Sequence, residues 1–153
     1  MLHFDDIDRK ILMLLQKDSS LKTKEIAAKI GLSVTPTYDR VKRLEKNGII
    51  EKYVAIVNPK AIDKSVTVIC HISLQKHEKS LLTKFEKEIL EVDEIVECFH
   101  IAGNYDYILK VIVPNLDAYS NFIKNKITAV KNISNIQSSF VMTAIKNETA
   151  LSV

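Results

Sequence analysis

The feature that most constrains this chain is a glycine turn, Gly31-Leu32, set between two short stretches of helical periodicity, the second of which stops at another glycine, Gly48. Thr23 is the expected N-cap of the first stretch, which runs through Glu25, Ile26, Ala27 and Ala28 to Ile30. Ser33 is the expected cap of the second, with Pro36 in its first turn, where a missing N–H costs little, and with Val41 and Leu44 facing inward. Two helices joined this tightly make a helix-turn-helix pattern. Upstream, Ile7, Ile11, Leu14 and Leu15 form one helical stripe, and Asp5, Asp6 and Asp8 stand in its first turn, where negative charge suits the helix dipole; the spacing predicts a helix over residues 5–17. After Gly48, residues 49–57 are rich in β-formers and read as a strand or hairpin wing. Asn58-Pro59 breaks them, and residues 60–64 read as a linker.

Beyond Lys64 the periodicity changes. The pattern predicts a strand over 66–75, a helix over 78–90 with Leu81, Leu82, Phe85 and Ile89 inward, strands over 95–102 and 105–113, a helix over 116–130 carrying Leu116, Tyr119, Ile123 and Ile127, and a strand over 136–145. The order βαββαβ is that of a ferredoxin-like unit, an antiparallel sheet with both helices on one face. The expected fold class is therefore α+β: a winged helix-turn-helix over 1–60, then a ferredoxin-like domain over 61–153. Both faces of the expected sheet are apolar. Phe99 and Ile101 oppose Cys98 and Ala102, and Tyr107, Leu109 and Val111 oppose Ile108 and Ile112. Helices cover one face only, so a second copy of the sheet is expected on the other. A chain of 153 residues divided into two units leaves each with little core, which also favours association.

Charge is unevenly placed: residues 1–60 hold 12 Lys/Arg against 8 Asp/Glu, while residues 61–153 hold 10 against 11. A basic N-terminal unit beside a near-neutral one fits a nucleic-acid binder joined to another module. No stretch approaches the roughly 20 apolar residues needed to span a bilayer, no basic start precedes an apolar run, and the expectation is a cytoplasmic protein without a membrane partner. Cys70 and Cys98 lie in apolar runs, outside any metal-ligand spacing, and are expected to be buried. His71 and His100 fall on expected strands, also without ligand spacing. No nucleophile elbow, phosphate loop or paired-carboxylate motif is present, so neither an enzyme nor a metal site is expected.

Two constellations remain. On the second helix of the pair, Thr35, Thr37, Tyr38 and Arg40 are expected to face outward beside Ser33, placing hydroxyls and a guanidinium where base edges of double-stranded DNA are read, while Lys42, Arg43, Lys46 and, on the wing, Lys52 suit phosphates. In the C-terminal half, Gly103-Asn104 reads as a two-residue hairpin turn whose amides can receive a carboxylate, and Asp106 follows it inside an apolar strand. A buried carboxylate there needs a partner, a small ligand's ammonium group or a structural ion pair; simple exposure at the strand end is the remaining account.

Taken together, Asp5-x-x-Asp8-x-x-Ile11-Leu12, Glu25-Ile26-Ala27, Gly31-Leu32-Ser33, Arg40-Val41-Lys42-Arg43-Leu44-Glu45, Gly48-Ile49-Ile50 and Gly103-Asn104-Tyr105-Asp106-Tyr107 resemble the Lrp/AsnC, or feast/famine, regulators over nearly the whole chain. The resemblance implies a sequence-specific transcription regulator whose C-terminal half is the RAM, or ACT-like, domain of amino-acid metabolism regulators. It implies dimers that assemble further, often to octamers, with no cofactor other than a small amino-acid effector bound between dimers. Carried over, the effector residues are Gly103, Asn104 and Asp106, with Ser138, Ser139, Phe140 and Val141 of the last strand supplied by another subunit. The chain departs from many relatives in having Asn104 in place of aspartate and no arginine near Leu21. An architectural DNA-binding protein without an effector is the alternative; it makes Asp106 structural.

Overall fold

The computed structural model describes residues 5–153; the first four residues of the expected 1–60 unit lie outside it. The chain divides into two compact units, one formed by the chain up to Ile56 together with Lys146–Val153, the other by Val57–Ile145. The last eight residues thus belong with the N-terminal unit and not, as the sequence suggests, with the sheet. The reason is local. The Gln16 side-chain amide donates to the Leu151 carbonyl at 3.0 Å and accepts from the Leu151 amide at 2.6 Å, and Val153 packs on the helical core.

Three helices build the N-terminal unit: α1 (Asp6–Lys17), α2 (Thr23–Ile30) and α3 (Val34–Lys46). Asp5 caps α1 by accepting from the Asp8 amide at 2.9 Å, and the Asp8 carboxylate returns the bond to the Asp5 amide at 3.1 Å, so two amides that a helix start leaves unpaired are satisfied reciprocally. Thr23 sits one residue inside α2. The cap is Lys22, whose amide donates to the Glu25 carboxylate at 2.6 Å. Gly31 ends α2 at φ 75°, a conformation a side chain would strain, and this lets α3 leave at an angle. Ile11, Leu12, Leu15, Ile26 and Leu44 are buried together, one stripe from each helix.

The segment expected to form a strand or wing does not pair as one. Ile49 and Ile50 both donate to the Leu44 carbonyl, and residues 51–58 run exposed without regular structure. A strand needs a neighbour to take its amides and carbonyls, and none stands beside this one among the described residues. A 3-10 turn, Pro59–Ile62, capped by Asn58, overlaps the start of the expected linker.

The second unit holds β1 (Val66–Leu74), α4 (Lys79–Leu90), β2 (Ile95–His100), β3 (Tyr107–Val113), α5 (Leu116–Phe122), which continues as a π-helical turn Ile123–Ile127, and β4 (Ile133–Phe140). The sheet is antiparallel in the order β2-β3-β1-β4. This is the expected βαββαβ arrangement. Val68, Cys70, Ile72 and Leu74 of β1 and Tyr107, Leu109, Val111 and Val113 of β3 are buried against Phe85 and Ile89 of α4 and Tyr119 and Phe122 of α5. The alternate residues Ile69, His71, Ile108 and Ile112 point to the other face, where they are only partly covered.

Three expectations change in this unit. β4 starts at Ile133 and stops at Phe140, opposite Val68, instead of running over 136–145; past it the Val141 amide donates to the Thr67 carbonyl at 3.0 Å, and β1 itself begins at Val66. The turn expected to use two residues uses six, 101–106, closed by the Ile101 amide on the Asp106 carbonyl at 2.9 Å. Cys98, expected to be buried, is exposed, since β2 is the sheet's edge strand; Cys70, on a central strand, is buried.

Candidate functional site

Helix α3 presents Ser33, Thr35, Tyr38, Lys42, Arg43 and Lys46 on its exposed side, and Lys52 on the following segment is exposed as well. Lys46 and Lys52 carry no ionic partner among the described residues. Lys42 is held by Glu45 at 2.6 Å and lies 5.7 Å from the centre of the Tyr38 ring. Glu45 also accepts from the Tyr53 hydroxyl at 3.0 Å; burial, then this carboxylate, push Tyr53 up to about 12.

Thr37 does not belong to this surface. It is fully buried, and its hydroxyl donates to the Ser33 carbonyl one turn back at 2.9 Å. It faces inward because it lies seven residues, about two turns, before Leu44, on the stripe that Leu44 buries.

The arginines of α3 are engaged with α1. Arg40 donates through Nη1 to Asp5 at 2.7 and 2.8 Å and to Asp8 at 2.9 Å, while Arg43 Nη2 donates to the second Asp8 oxygen at 2.6 Å. The Asp8 side chain is 1% exposed, Arg40 26% and Arg43 52%. A buried carboxylate must be compensated, and two guanidiniums and one amide do so here. The Asp8 amide, and then the Arg40 guanidinium, hold Asp5 at about 2, below the ordinary 3.8. A folded value below the unfolded one means that this contribution to stability is present above pH 3.8 and fades as pH falls towards 2. Carboxyl-carbon NMR of Asp5 is expected to show a midpoint near 2. A midpoint near 3.8 would mean that the cap and ion pair do not persist in solution.

In the second unit, Gly103 lies at φ 141° in the exposed loop 101–106, and Asn104 beside it is exposed. Asp106 is organised by its surroundings: Oδ2 accepts from the Leu74 amide at 2.7 Å, Oδ1 meets His77 Nε2 at 2.7 Å, and the Asp106 amide donates to Ile72 at 2.9 Å. Burial on its own would raise this carboxyl, but the Leu74 amide and His77 outweigh it and hold it below the usual range. The structural partner that the sequence left open is therefore His77, which no local pattern marked. It stands 29 residues away and meets Asp106 only because β1 and β3 pair.

The four last-strand candidates separate. Val68 pairs with Phe140 and Cys70 with Ser138, so these two share the helix side, where Ser138 hydrogen-bonds the Tyr119 hydroxyl and Phe140 meets the Tyr119 ring edge-on at 5.1 Å. Ser139 and Val141 alternate to the opposite face. Along β1, Ile69 opposite Ser139 and Leu74 beside Asp106 are five residues apart, roughly 16 Å of strand. Within one chain the loop candidates and the last-strand candidates thus lie at different ends of the sheet. Tyr105 reaches from the loop to β4: its hydroxyl donates to Gln137, and its ring lies 4.9 Å from that of His71. Tyr105, His77 and Tyr119 are the residues that sequence reasoning missed; each acts across the sheet or from a helix above it. No group of three or more potential metal ligands occurs among the described residues, and none of their helices is long and apolar enough to cross a membrane.

Comparison with known proteins gives this geometry a family. Residues 67–151 match the Lrp/AsnC ligand binding domain, and residues 4–51 match the winged helix-turn-helix DNA-binding domain. The chain is 35% identical over 150 residues to the Bkd operon transcriptional regulator of Pseudomonas aeruginosa, covering 98% of each, and 34% identical over 147 residues to the leucine-responsive regulatory protein of Escherichia coli, covering 96% of this chain and 90% of that one. Among solved structures, a transcriptional regulator of Neisseria meningitidis in complex with L-Met superposes with a TM-score of 0.94 at 30% identity, over 97% of this chain and 96% of that one. An AsnC family regulator of Agrobacterium tumefaciens does so with a TM-score of 0.93 at 38% identity, over the same shares. This chain belongs to the Lrp/AsnC family of DNA-binding transcriptional regulators.

Proposed function

We propose that this regulator binds double-stranded DNA through the exposed side of α3 as a homo-oligomer, and that a small amino acid bound between its dimers shifts its assembly or its affinity for DNA. Ser33, Thr35 and Tyr38 stand at the exposed N-terminal part of α3, in reach of base edges. Lys42, Lys46 and Lys52 supply phosphate contacts. Arg40 and Arg43 serve first to hold α3 on α1 through Asp5 and Asp8.

The observation that carries the effector reading is the separation of the candidates within one chain. Gly103, Asn104 and Asp106 sit at one end of β1 and Ser138 to Val141 towards the other, so an amino acid touching both sets needs the last strand of a second copy. Such a site forms only in the assembly, and that is what lets a ligand discriminate between assembly states. The Neisseria meningitidis structure, similar over almost the whole chain, holds L-methionine, which supports an amino acid as the ligand class. In this site the ligand's ammonium group replaces or joins His77 on Asp106, and its carboxylate takes the Gly103 and Asn104 amides of the 101–106 loop.

Titration calorimetry with each of the twenty amino acids, on the wild-type chain and on Asp106→Ala, tests the reading. At least one amino acid is expected to give heat with the wild type, with affinity falling at least tenfold in Asp106→Ala, about the loss of one charge-assisted hydrogen bond. No heat from any amino acid would favour the architectural alternative.

A further inference from the structure

Helix α3 carries four cations, Arg40, Lys42, Arg43 and Lys46, and three of them are met by carboxylates in the structure. In the Lys42–Glu45 pair neither partner is buried, so Lys42 can leave Glu45 for phosphate while water takes over the carboxylate. The Asp8 pairs differ in kind. Asp8 is enclosed, its two oxygens take three hydrogen bonds, and handing either guanidinium to a phosphate would leave part of a buried carboxylate uncompensated. Arg40 is held twice over, since Asp5 grips the same nitrogen from the solvent side.

Resting on the reading that α3 is the DNA-contacting helix, we propose that Asp8, seconded by Asp5, is a positioning residue that withholds the Arg40 and Arg43 guanidiniums from the phosphate backbone, keeping sequence-independent DNA affinity low. Phosphate contacts add affinity to every site alike, whereas a regulator needs a large ratio between specific and non-specific binding. Neutralising two arginines from within the fold suppresses the first without touching the base-reading side chains Ser33, Thr35 and Tyr38. The basic excess of the N-terminal unit is therefore smaller at this surface than a count of charges suggests.

The test is the slope of log affinity against log salt for a random-sequence duplex, measured on the full chain. Each guanidinium freed onto a phosphate steepens that slope by about 0.9. Asp8→Asn is expected to steepen it by about 0.9 as Arg43 loses its carboxylate, and Asp5→Asn/Asp8→Asn by about 1.8 as Arg40 follows. Adding Arg40→Gln to the double variant is expected to take about 0.9 back. Between 50 and 200 mM salt, each freed guanidinium corresponds to a further loss of affinity of about 3.5-fold. A merely structural role for Asp8 would lower affinity or stability without steepening the slope. Equal slopes in wild type and Asp8→Asn overturn the proposal while leaving the DNA-binding reading intact; a wild-type chain with no salt-dependent binding overturns both. Should circular dichroism show Asp8→Asn unfolded, Arg43→Gln replaces it, because Asp8 then keeps the Arg40 guanidinium and the Asp5 amide as partners. A guanidinium withheld from phosphate adds nothing to the slope, so the wild-type slope is expected to persist in Arg43→Gln, and a slope shallower by about 0.9 counts against the proposal.

Discussion

Phe85→Ala is expected to destabilise the sheet-bearing unit by about 3–5 kcal/mol, a large part of the 5–15 kcal/mol typical of a folded domain. Phe85 is 1% exposed, lies under the sheet, and meets the Tyr107 ring at 4.6 Å between centroids. The loss combines the transfer free energy of the ring with the cavity it leaves, since α4 is tied to the sheet at other points and cannot collapse fully onto β3. Tyr107 also donates its hydroxyl to Glu86 at 2.9 Å, so removing the neighbouring ring loosens a hydrogen bond that anchors α4. Urea unfolding followed by circular dichroism measures the effect as a lowered midpoint. A loss below about 1 kcal/mol, the level of an ordinary surface change, would contradict the burial seen here.

The second large effect concerns the other face of the same sheet. Ile108→Asp is expected to break the homodimer proposed for the open sheet face, weakening association by at least about 100-fold, because a two-fold contact repeats the substitution and buries two unpaired charges. Ile108 lies on β3, laterally between His71 of β1 and Phe99 of β2, on the side the helices leave open; Phe99 is 52% exposed there. Its side chain takes no part in the helix-side core, so the chain is expected to fold. Sedimentation velocity at low micromolar concentration should then show a dimer or larger species for the wild type and a monomer for the variant. A variant that still sediments as the dimer would place the association elsewhere.

These two residues show how the fold was legible. The alternation of buried and half-buried residues along β1 and β3 is written in the sequence as a period of two, and the glycine at the end of α2 as a break in a period of 3.6, because both periods are properties of the backbone that hold wherever the side chains go. The strand over 49–57 is the instructive exception. Its residues favour β-structure, yet a strand is a relation between two segments, and nothing within its own unit offers the second. The end of β4 was misplaced as well: residues 141–145 continue its apolar pattern, but the pairing with β1 ends at Phe140 opposite Val68.

By itself, the sequence determined the helix-turn-helix, the βαββαβ order and the family, all of which follow from local propensity, periodicity and motif spacing. Only the tertiary structure decided what those positions do. It turned Thr37 inward, tied Arg40 and Arg43 to Asp8, gave Asp106 the partner His77, divided Ser138 and Phe140 from Ser139 and Val141, and took the last eight residues to the N-terminal unit. The physical reason is that a charge or a hydroxyl has no fixed role of its own. Its role depends on the groups that folding brings within about 3 Å, the reach of a hydrogen bond, and for Arg43 and Asp106 those groups, Asp8 and His77, come from 35 and 29 residues away along the chain.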